Sequence, residues 1–468
     1  MADSAPTGKT PSPILNDIQI TEDRLTGRGG LPLFSRYLRN IEVLGSLEAL
    51  FGSIRKSGKG LPVATLFKQV FCFLLDGTSR HLTYFDALAE DAGYAGAIET
   101  APERMASSHQ VKRFFHAFSG VRAWLFRRLL QRLFLWRLRI AGPEVVVLGL
   151  DTMIMDNGEA EVRHGVEPTY KRGVRGFQPL QITWGRYIVD AVFRGGSKHS
   201  NSGRTALRAI EHLVDRIRAD YRRDVPIIFR SDSGFLDQEI FKLCEARGVG
   251  YICTGKLYKD LTARVERIPA FAWRRYEGTE QAWEYLALFD RRGSWGRSRR
   301  VLYTRPEYEE DQRLMEFARP DTVLYTNLGS GRKIDARLRA AGQEQWLQPE
   351  RILECHHGRG RDELVHRALK EFAAEQLPFR RFGPNAAFYY TMLTAFFLYE
   401  AFKEDVTDPV VPVPSYPTRL RRTVLDIAAK IVRHAGQTVL KVTRSVWTQL
   451  QLAELWKRTA DPPRFVWA

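Results

Sequence analysis

From Glu144 to Gly255 the chain runs through an ordered series of short apolar stretches and longer amphipathic ones. EVVVLGLD, set off by Gly142–Pro143, is an apolar run that ends in Asp151. QPLQITWG and RYIVDAVF follow as two strands around a Gly185–Arg186 turn. Leu207, Ile210, Leu213, Val214 and Ile217 then recur at helical spacing, which predicts a helix from about Gly203 to Tyr221. VPIIFRSDSG is a second apolar run, reaching Asp232; a helix over Leu236 to Ala246 and the strand VGYICTG complete the series.

Strand, strand, strand, helix, strand, helix, strand is the order of a ribonuclease H-like α/β layer, three antiparallel strands followed by parallel ones. The rest of the chain is arranged around it. Residues 1–30, rich in Ser, Thr, Pro and Gly, read as a disordered tail. Residues 31–142 carry apolar residues at three and four spacings and read as a helical N-terminal DNA-binding domain. The α/β core occupies 143–255 and 331–405. Between its parts, 256–330 is a β-rich insertion with WEYLALFD, RRVLYTR and DTVLYTNLG and with Trp273, Trp283 and Trp295. Helices return over Glu363–Gln376 and Pro384–Lys403, VVPVPSYP is a linker, and 406–468 reads as a basic helical C-terminal region, helical from Thr418 to Leu450.

The apolar run Ala386–Phe402 falls short of the ~20 residues of a membrane span and contains Glu400, so it reads as a buried helix. The N-terminus has no apolar signal-peptide region. Cys72, Cys244, Cys253 and Cys355 are too scattered for a disulfide framework, and reduced thiols in a cytoplasmic setting are expected.

The net charge is +17, and it is clustered. Ala101–Leu150 holds nine bases against two acids; Val411–Ala468 holds ten against three. Arginines interleaved with Trp124, Phe126, Phe134 and Trp136 suit a phosphate-binding surface. Basic side chains snorkelling over a helical core account for the same residues. Within the helical stretch Leu33–Ile140, FDALAEDAGYAGAIETAPERMASSHQVKRFFHAF has the outline of a helix–turn–helix, with Ser108, His109, Lys112 and Arg113 on the helix that enters a groove. Many helical hairpins share that outline.

Asp151 and Asp232 end strands that are neighbours in this layer, so their carboxylates meet. Two such carboxylates suit Mg²⁺, and two ions serve phosphodiester chemistry. Capping or turn roles for both acids are the alternative. In ECHHGRGRDELVHRALKEF, Arg359, Glu363, Arg367 and Lys370 lie on one helical stripe. That pattern fits a metal ligand flanked by phosphate clamps and equally a salt-bridged surface helix. Cys355, His356 and His357 are adjacent and cannot all face one zinc ion.

The segments LGLDTMIMDN, YKRGVRGFQPLQITWGRYIVDAVFRGGSKHSNSG, IIFRSDSGF, CEARGVGYICTG, VLYTNLG and HGRGRDELVHRALKEF resemble DDE transposases of bacterial insertion sequences, in the IS4-like group and its IS1380 family. The resemblance spans roughly Leu33 to Trp456. It implies that Asp151, Asp232 and Glu363 are the catalytic, metal-binding acids, holding two Mg²⁺ ions, with Mn²⁺ as a substitute. The family signature Tyr-x₂-Arg-x₃-Glu-x₆-Lys falls on His356, Arg359, Glu363 and Lys370, with histidine in place of tyrosine; Arg359 and Lys370 would hold transposon-end phosphates. Glu354 and Asp362 miss that spacing. A tryptophan of the insertion would stack on a flipped base, Trp283 and Trp295 being the candidates, although core packing is the commoner fate of a strand tryptophan. The implied partners are double-stranded DNA, as transposon ends and target, and a second copy in an active homodimer, in the bacterial cytoplasm and on the nucleoid. A ribonuclease H-like nuclease without strand transfer and a catalytically inactive DNA-binding regulator are the competing classes.

Overall fold

A computed structural model describes residues 17–54, 60–160, 162–278, 282–307 and 321–466. The first part of the predicted tail lies outside the described residues. Its last part is not loose: β1 (Arg24–Thr26) is a strand.

Helices α1 (Leu31–Asn40), α2 (Val43–Phe51), α3 (Val63–Asp76), α4 (Tyr84–Glu90), α5 (Ala92–Ala97), α6 (Ser108–His116) and α7 (Ala123–Ala141) follow. Local chemistry sets several of their ends. Ser107 and Gln110 form a reciprocal capping box at the start of α6. Gly142, at φ +56°, closes α7 in the left-handed conformation that glycine adopts without a steric penalty.

The strands of the α/β region are β2 (Val146–Thr152), the short β3 (Met155–Asp156), β4 (Glu167–Pro168) and β5 (Arg175–Phe177), then β6 (Leu180–Trp184) and β7 (Tyr187–Val192). Helix α8 (Thr205–Asp220), β8 (Ile227–Ser231), α9 (Gln238–Arg247) and β9 (Gly250–Thr254) continue the chain. The insertion supplies α10 (Lys259–Glu266), β10 (Arg274–Glu277), β11 (Ala282–Asp290), β12 (Arg299–Pro306) and β13 (Thr322–Thr326). Residues 279–281 and 308–320 of it lie outside the described residues.

One mixed sheet collects nine of these strands in the order β10-β11-β12-β13-β9-β8-β2-β6-β7. In the half β7-β6-β2-β8-β9, β2 pairs antiparallel with β6 and parallel with β8, and β8 pairs parallel with β9, as the sequence order predicts. The four strands of residues 256–330 extend the same sheet. Its strand β13 pairs with β9 through Leu324↔Thr254 and Thr326↔Ile252.

Side chains alternate across the central strands, and both faces are covered. Val146, Leu148, Leu150, Ile227, Phe229, Tyr251 and Cys253 join the main core, whereas Ile228 and Ile252 join a second cluster with Leu302, Leu324, Ile334 and Leu353. That double burial explains why these strands read as continuous apolar runs.

The second half contributes α11 (Lys333–Ala340), α12 (Pro349–His357), α13 (Gly360–Ala373) and α14 (Phe382–Phe402). Every residue of α14 from Pro384 to Phe402 is buried, against α7, α3, α6 and β7. No helix among the described residues is long and apolar enough to cross a membrane. The main core runs from Leu31 to Phe465, so the helical N-terminal region shares one hydrophobic cluster with the sheet.

Two expectations about the basic segments need correction. The C-terminal region is not a continuous helical tail. After α15 (Pro417–Leu420), a hairpin of β14 (Ala429–His434) and β15 (Gln437–Lys441) forms a three-stranded sheet with β1, ahead of α16 (Arg444–Gln449) and α17 (Leu452–Arg458). Ala435 and Gly436, both at positive φ, make the tight turn that the helical reading overlooked. In α7, Phe126, Phe134 and Trp136 are core residues. Arg127 binds the buried Asp190 at 2.7 and 2.8 Å, and Arg137 binds Asp405 at 2.9 Å. Those two arginines are structural ion-pair partners.

Candidate active site

Strands β2 and β8 run parallel, with Leu150 opposite Ser231. Asp151 and Asp232, each one residue further on, therefore stand side by side at the C-terminal ends of two central strands. The Asp151 side chain is 14% exposed, and its Oδ1 accepts a hydrogen bond from the Thr152 amide at 2.7 Å. Burial and the neighbouring charge of Asp232 push the Asp151 carboxyl up to about 6, with Arg359 opposing them. Asp232 also caps the turn Ser233–Phe235, its Oδ1 accepting from the Gly234 amide at 2.9 Å. The capping role of Asp232 thus coexists with its place beside Asp151.

Glu363 lies in the first turn of α13, and its side chain is 70% exposed. The Arg359 guanidinium, at the N-cap of the same helix, stands 3.9 Å from Asp151 Oδ2 and 3.9 Å from Glu363 Oε1. It links the acid pair to Glu363 by charge, at distances beyond hydrogen bonding. Among the described residues no three His, Cys, Asp or Glu side chains converge as one metal-binding group. The structure therefore unites Asp151 and Asp232 and keeps Glu363 one arginine away. The pair itself fits a hard divalent cation: two adjacent carboxylate donors, one of them reluctant to ionise unaided.

Asp362 occupies a different niche. It is buried and accepts two hydrogen bonds from Arg230, at 2.8 and 3.1 Å, and one from Thr183 Oγ1 at 3.3 Å. Arg230 also donates to the Cys355 carbonyl at 3.1 Å, tying β8 to the end of α12. A Cβ at position 149 would lie 2.6 Å from Asp362 Oδ2, so Gly149 is what lets α13 approach β2 so closely.

The remaining predicted residues are placed as follows. His356 Nε2 meets Thr254 Oγ1 at 3.0 Å, and its Nδ1 is buried with no partner among the described residues. Burial, with His357, Arg359 and Arg230 nearby, lowers its pKa to about 3. It is a half-buried histidine held neutral by that shift. Lys370 is paired with Glu375 at 2.9 Å, and Arg367 lies over the Tyr416 ring at 4.9 Å. Trp283 and Trp295 are 5% and 6% exposed. The first packs on the His357 ring at 4.5 Å; the second is wedged against Phe241 and Tyr325 under Arg299. Trp283, on β11, and Trp295, in the connection between β11 and β12, are thus both engaged in packing. Among its described residues the insertion exposes two aromatics, Phe271 at 90% and Phe289 at 60%. On α6, Arg113 is exposed and Lys112 half-buried, while Val111, Phe114 and Phe115 face the core.

Sequence reasoning missed Tyr170. It sits in the turn between β4 and β5, beside Lys171, Arg172 and Gly173, and is 73% exposed. Partial burial and the charges of Asp151, Asp232 and Glu363 all raise its phenol pKa, so this one side chain stands in the field of all three acids. An aromatic followed by two bases at a glycine turn was the available signal.

No curated protein matches the chain. A solved structure, a cryo-EM synaptic complex of piggyBac transposase with hairpin DNA, is similar at 12% identity and a TM-score of 0.41, over 84% of this chain and 79% of that one. The sequence profile for the transposase DDE domain, group 1, matches residues 17–461. With nearly the whole chain inside that match, and with paired aspartates at its central strand ends, the protein belongs to the family of group 1 DDE-domain transposases.

Proposed function

We propose that the protein is the transposase of a bacterial insertion sequence of the IS4-like group, IS1380 family, which binds the terminal inverted repeats of its element, cuts the DNA ends and joins them to target DNA. The observation that carries this reading is the Asp151–Asp232 pair, set at neighbouring strand ends in a chain of this family. The five-strand half of the sheet is read as a ribonuclease H-like core.

Asp151, Asp232 and Glu363 would hold two Mg²⁺ ions, which supply charge neutralisation and activation of the attacking oxygen. Glu363 completes the set when its exposed side chain turns toward Asp151. Arg359 now neutralises the acids and is free to move to a DNA phosphate once they have another counter-charge. Lys370 exchanges Glu375 for a phosphate in the same way. In the first step a water oxygen forms a bond to phosphorus, the P–O3′ bond breaks, and a 3′-hydroxyl is released. That hydroxyl then attacks a second phosphodiester, in the opposite strand or in target DNA, so one acid set serves both in-line displacements. Two ends are cut together, which calls for a homodimer.

The test is cleavage of a duplex carrying the element's inverted repeat, with Mg²⁺ or Mn²⁺. Wild-type protein should nick the end and join a precut end to plasmid DNA. Nicking without joining would make it a ribonuclease H-like nuclease; binding without nicking would make it a regulator.

A further inference from the structure

We propose that the C-terminal β-ribbon, β14 with β15, is a docking element for double-stranded DNA, separate from the acid site. Between Ile427 and Ala453 the sequence has no acid, yet carries Lys430, Arg433, His434, Lys441 and Arg444. The ribbon's base is anchored: Ala429 and Ile431 are buried, Ile431 against Gly96 of α5. Its distal half is exposed, from Arg433 to Thr438. Ala435 at φ 48° and Gly436 at φ 76° form a two-residue turn of the type that holds a hairpin rigid.

The register places Lys430 directly opposite Lys441 on the outer face, with His434 opposite Gln437 at the tip. Like charges facing each other across strands destabilise a hairpin, and folding alone gives no reason for them. Asp23 answers Lys430 at 2.7 Å, while Arg433, Lys441 and Arg444 make no ion pair among the described residues. A two-stranded ribbon fits the major groove, and unpaired cations along it match a phosphate backbone. The open edge of β15 could instead pair with a second copy, but Lys441 lies on that edge, and edge lysines oppose such contacts.

The proposal rests on the transposase reading only in taking DNA as the polyanion, and its test needs no cleavage. Full-length protein is titrated into a fluorescein-labelled duplex of about 30 random base pairs without divalent metal, at about 50 to 200 mM NaCl, a range over which phosphate contacts dominate the affinity. Arg433→Glu/Lys441→Glu should weaken binding at least tenfold and lower the slope of log Kd against log salt by about two, at roughly 0.9 per lost contact. Arg433→Lys/Lys441→Arg should retain both. If the reversed pair lowers Tm, Arg433→Gln/Lys441→Gln carries the same test. A folded variant that binds with the wild-type slope overturns the proposal. So does loss of a wild-type dimer by light scattering with DNA affinity intact, which would make the ribbon an interface between copies. Wild-type protein that fails to bind the random duplex also overturns the proposal, whereas the transposase reading is overturned only by failure on the inverted-repeat end.

Discussion

Arg230 holds Asp362 in a two-pronged, buried ion pair, at 2.8 and 3.1 Å, and so fixes the helix that carries Glu363 to the strand that leads into Asp232. The pair sits one residue from Glu363 and two from Asp232, so it governs where the acids can meet.

Removing one partner of that pair should cost about 3–5 kcal/mol, because an uncompensated charge stays buried. Arg230→Ala is therefore expected to show a lower urea midpoint with an unchanged m-value. End cleavage should fall even at temperatures where the variant remains folded, since α13 loses its tether.

Asp151→Asn, Asp232→Asn and Glu363→Gln should each retain end-binding and lose nicking, because a carboxamide cannot supply the ligand charge. A gel-shift and a nicking assay on one labelled end check both halves. Wild-type nicking by any of the three would remove that residue from the site.

The acid pair should also set a pH dependence of stability. Asp151 titrates near 6 when folded and near its ordinary value of 3.8 when unfolded, so the folded state binds the proton more tightly. Without metal, stability should fall as pH rises from about 4 to about 6, by up to roughly 3 kcal/mol. Asp151→Asn should flatten that slope and unfold at a higher temperature than wild type at pH 8. Mg²⁺ should raise the wild-type Tm at pH 8 far more than at pH 5. Melting curves with EDTA and with Mg²⁺ at the two pH values measure all three effects.

Tyr170 feels the charge of all three acids and lies beside two exposed cations, Lys171 and Arg172. Tyr170→Ala should reduce end cleavage at least tenfold while leaving Tm unchanged, since its side chain packs on little. Tyr170→Phe, which keeps the ring, separates stacking from the hydroxyl: activity near wild type assigns the role to the ring.

Arg421 donates to the carbonyls of Leu74, Leu75, Glu371 and Phe372, closing the C-terminal ends of α3 and α13 with one guanidinium. Arg421→Ala should destabilise by about 2–4 kcal/mol, as charge-assisted bonds to buried carbonyls are lost. Gly77→Ala should be costly as well, because position 77 has φ +68° and a Cβ there meets the same guanidinium. Chemical denaturation of both variants tests the contact.

The sequence alone determined the strand order around the acids and the helices between them. Apolar runs bounded by Gly and Pro, and apolar residues at helical spacing, depend only on neighbours along the chain. Asp151 and Asp232 stood out for the same reason, each being the first acid reached at the C-terminal end of a central apolar run. What lay beyond its reach were contacts between distant segments. Arg127 and Arg137 look like any surface arginine until Asp190 and Asp405 come to meet them. Trp283 and Trp295 look like free strand aromatics until His357 of α12 and Phe241 of α9 pack against them, and the neutral state of the His356 ring follows from its surroundings rather than from its place in the motif. Tertiary structure decided which charges were spent inside the fold and which, on the β14–β15 ribbon and around Tyr170, remain outside it. Burial and pairing are properties of the packed chain, and no spacing rule encodes them.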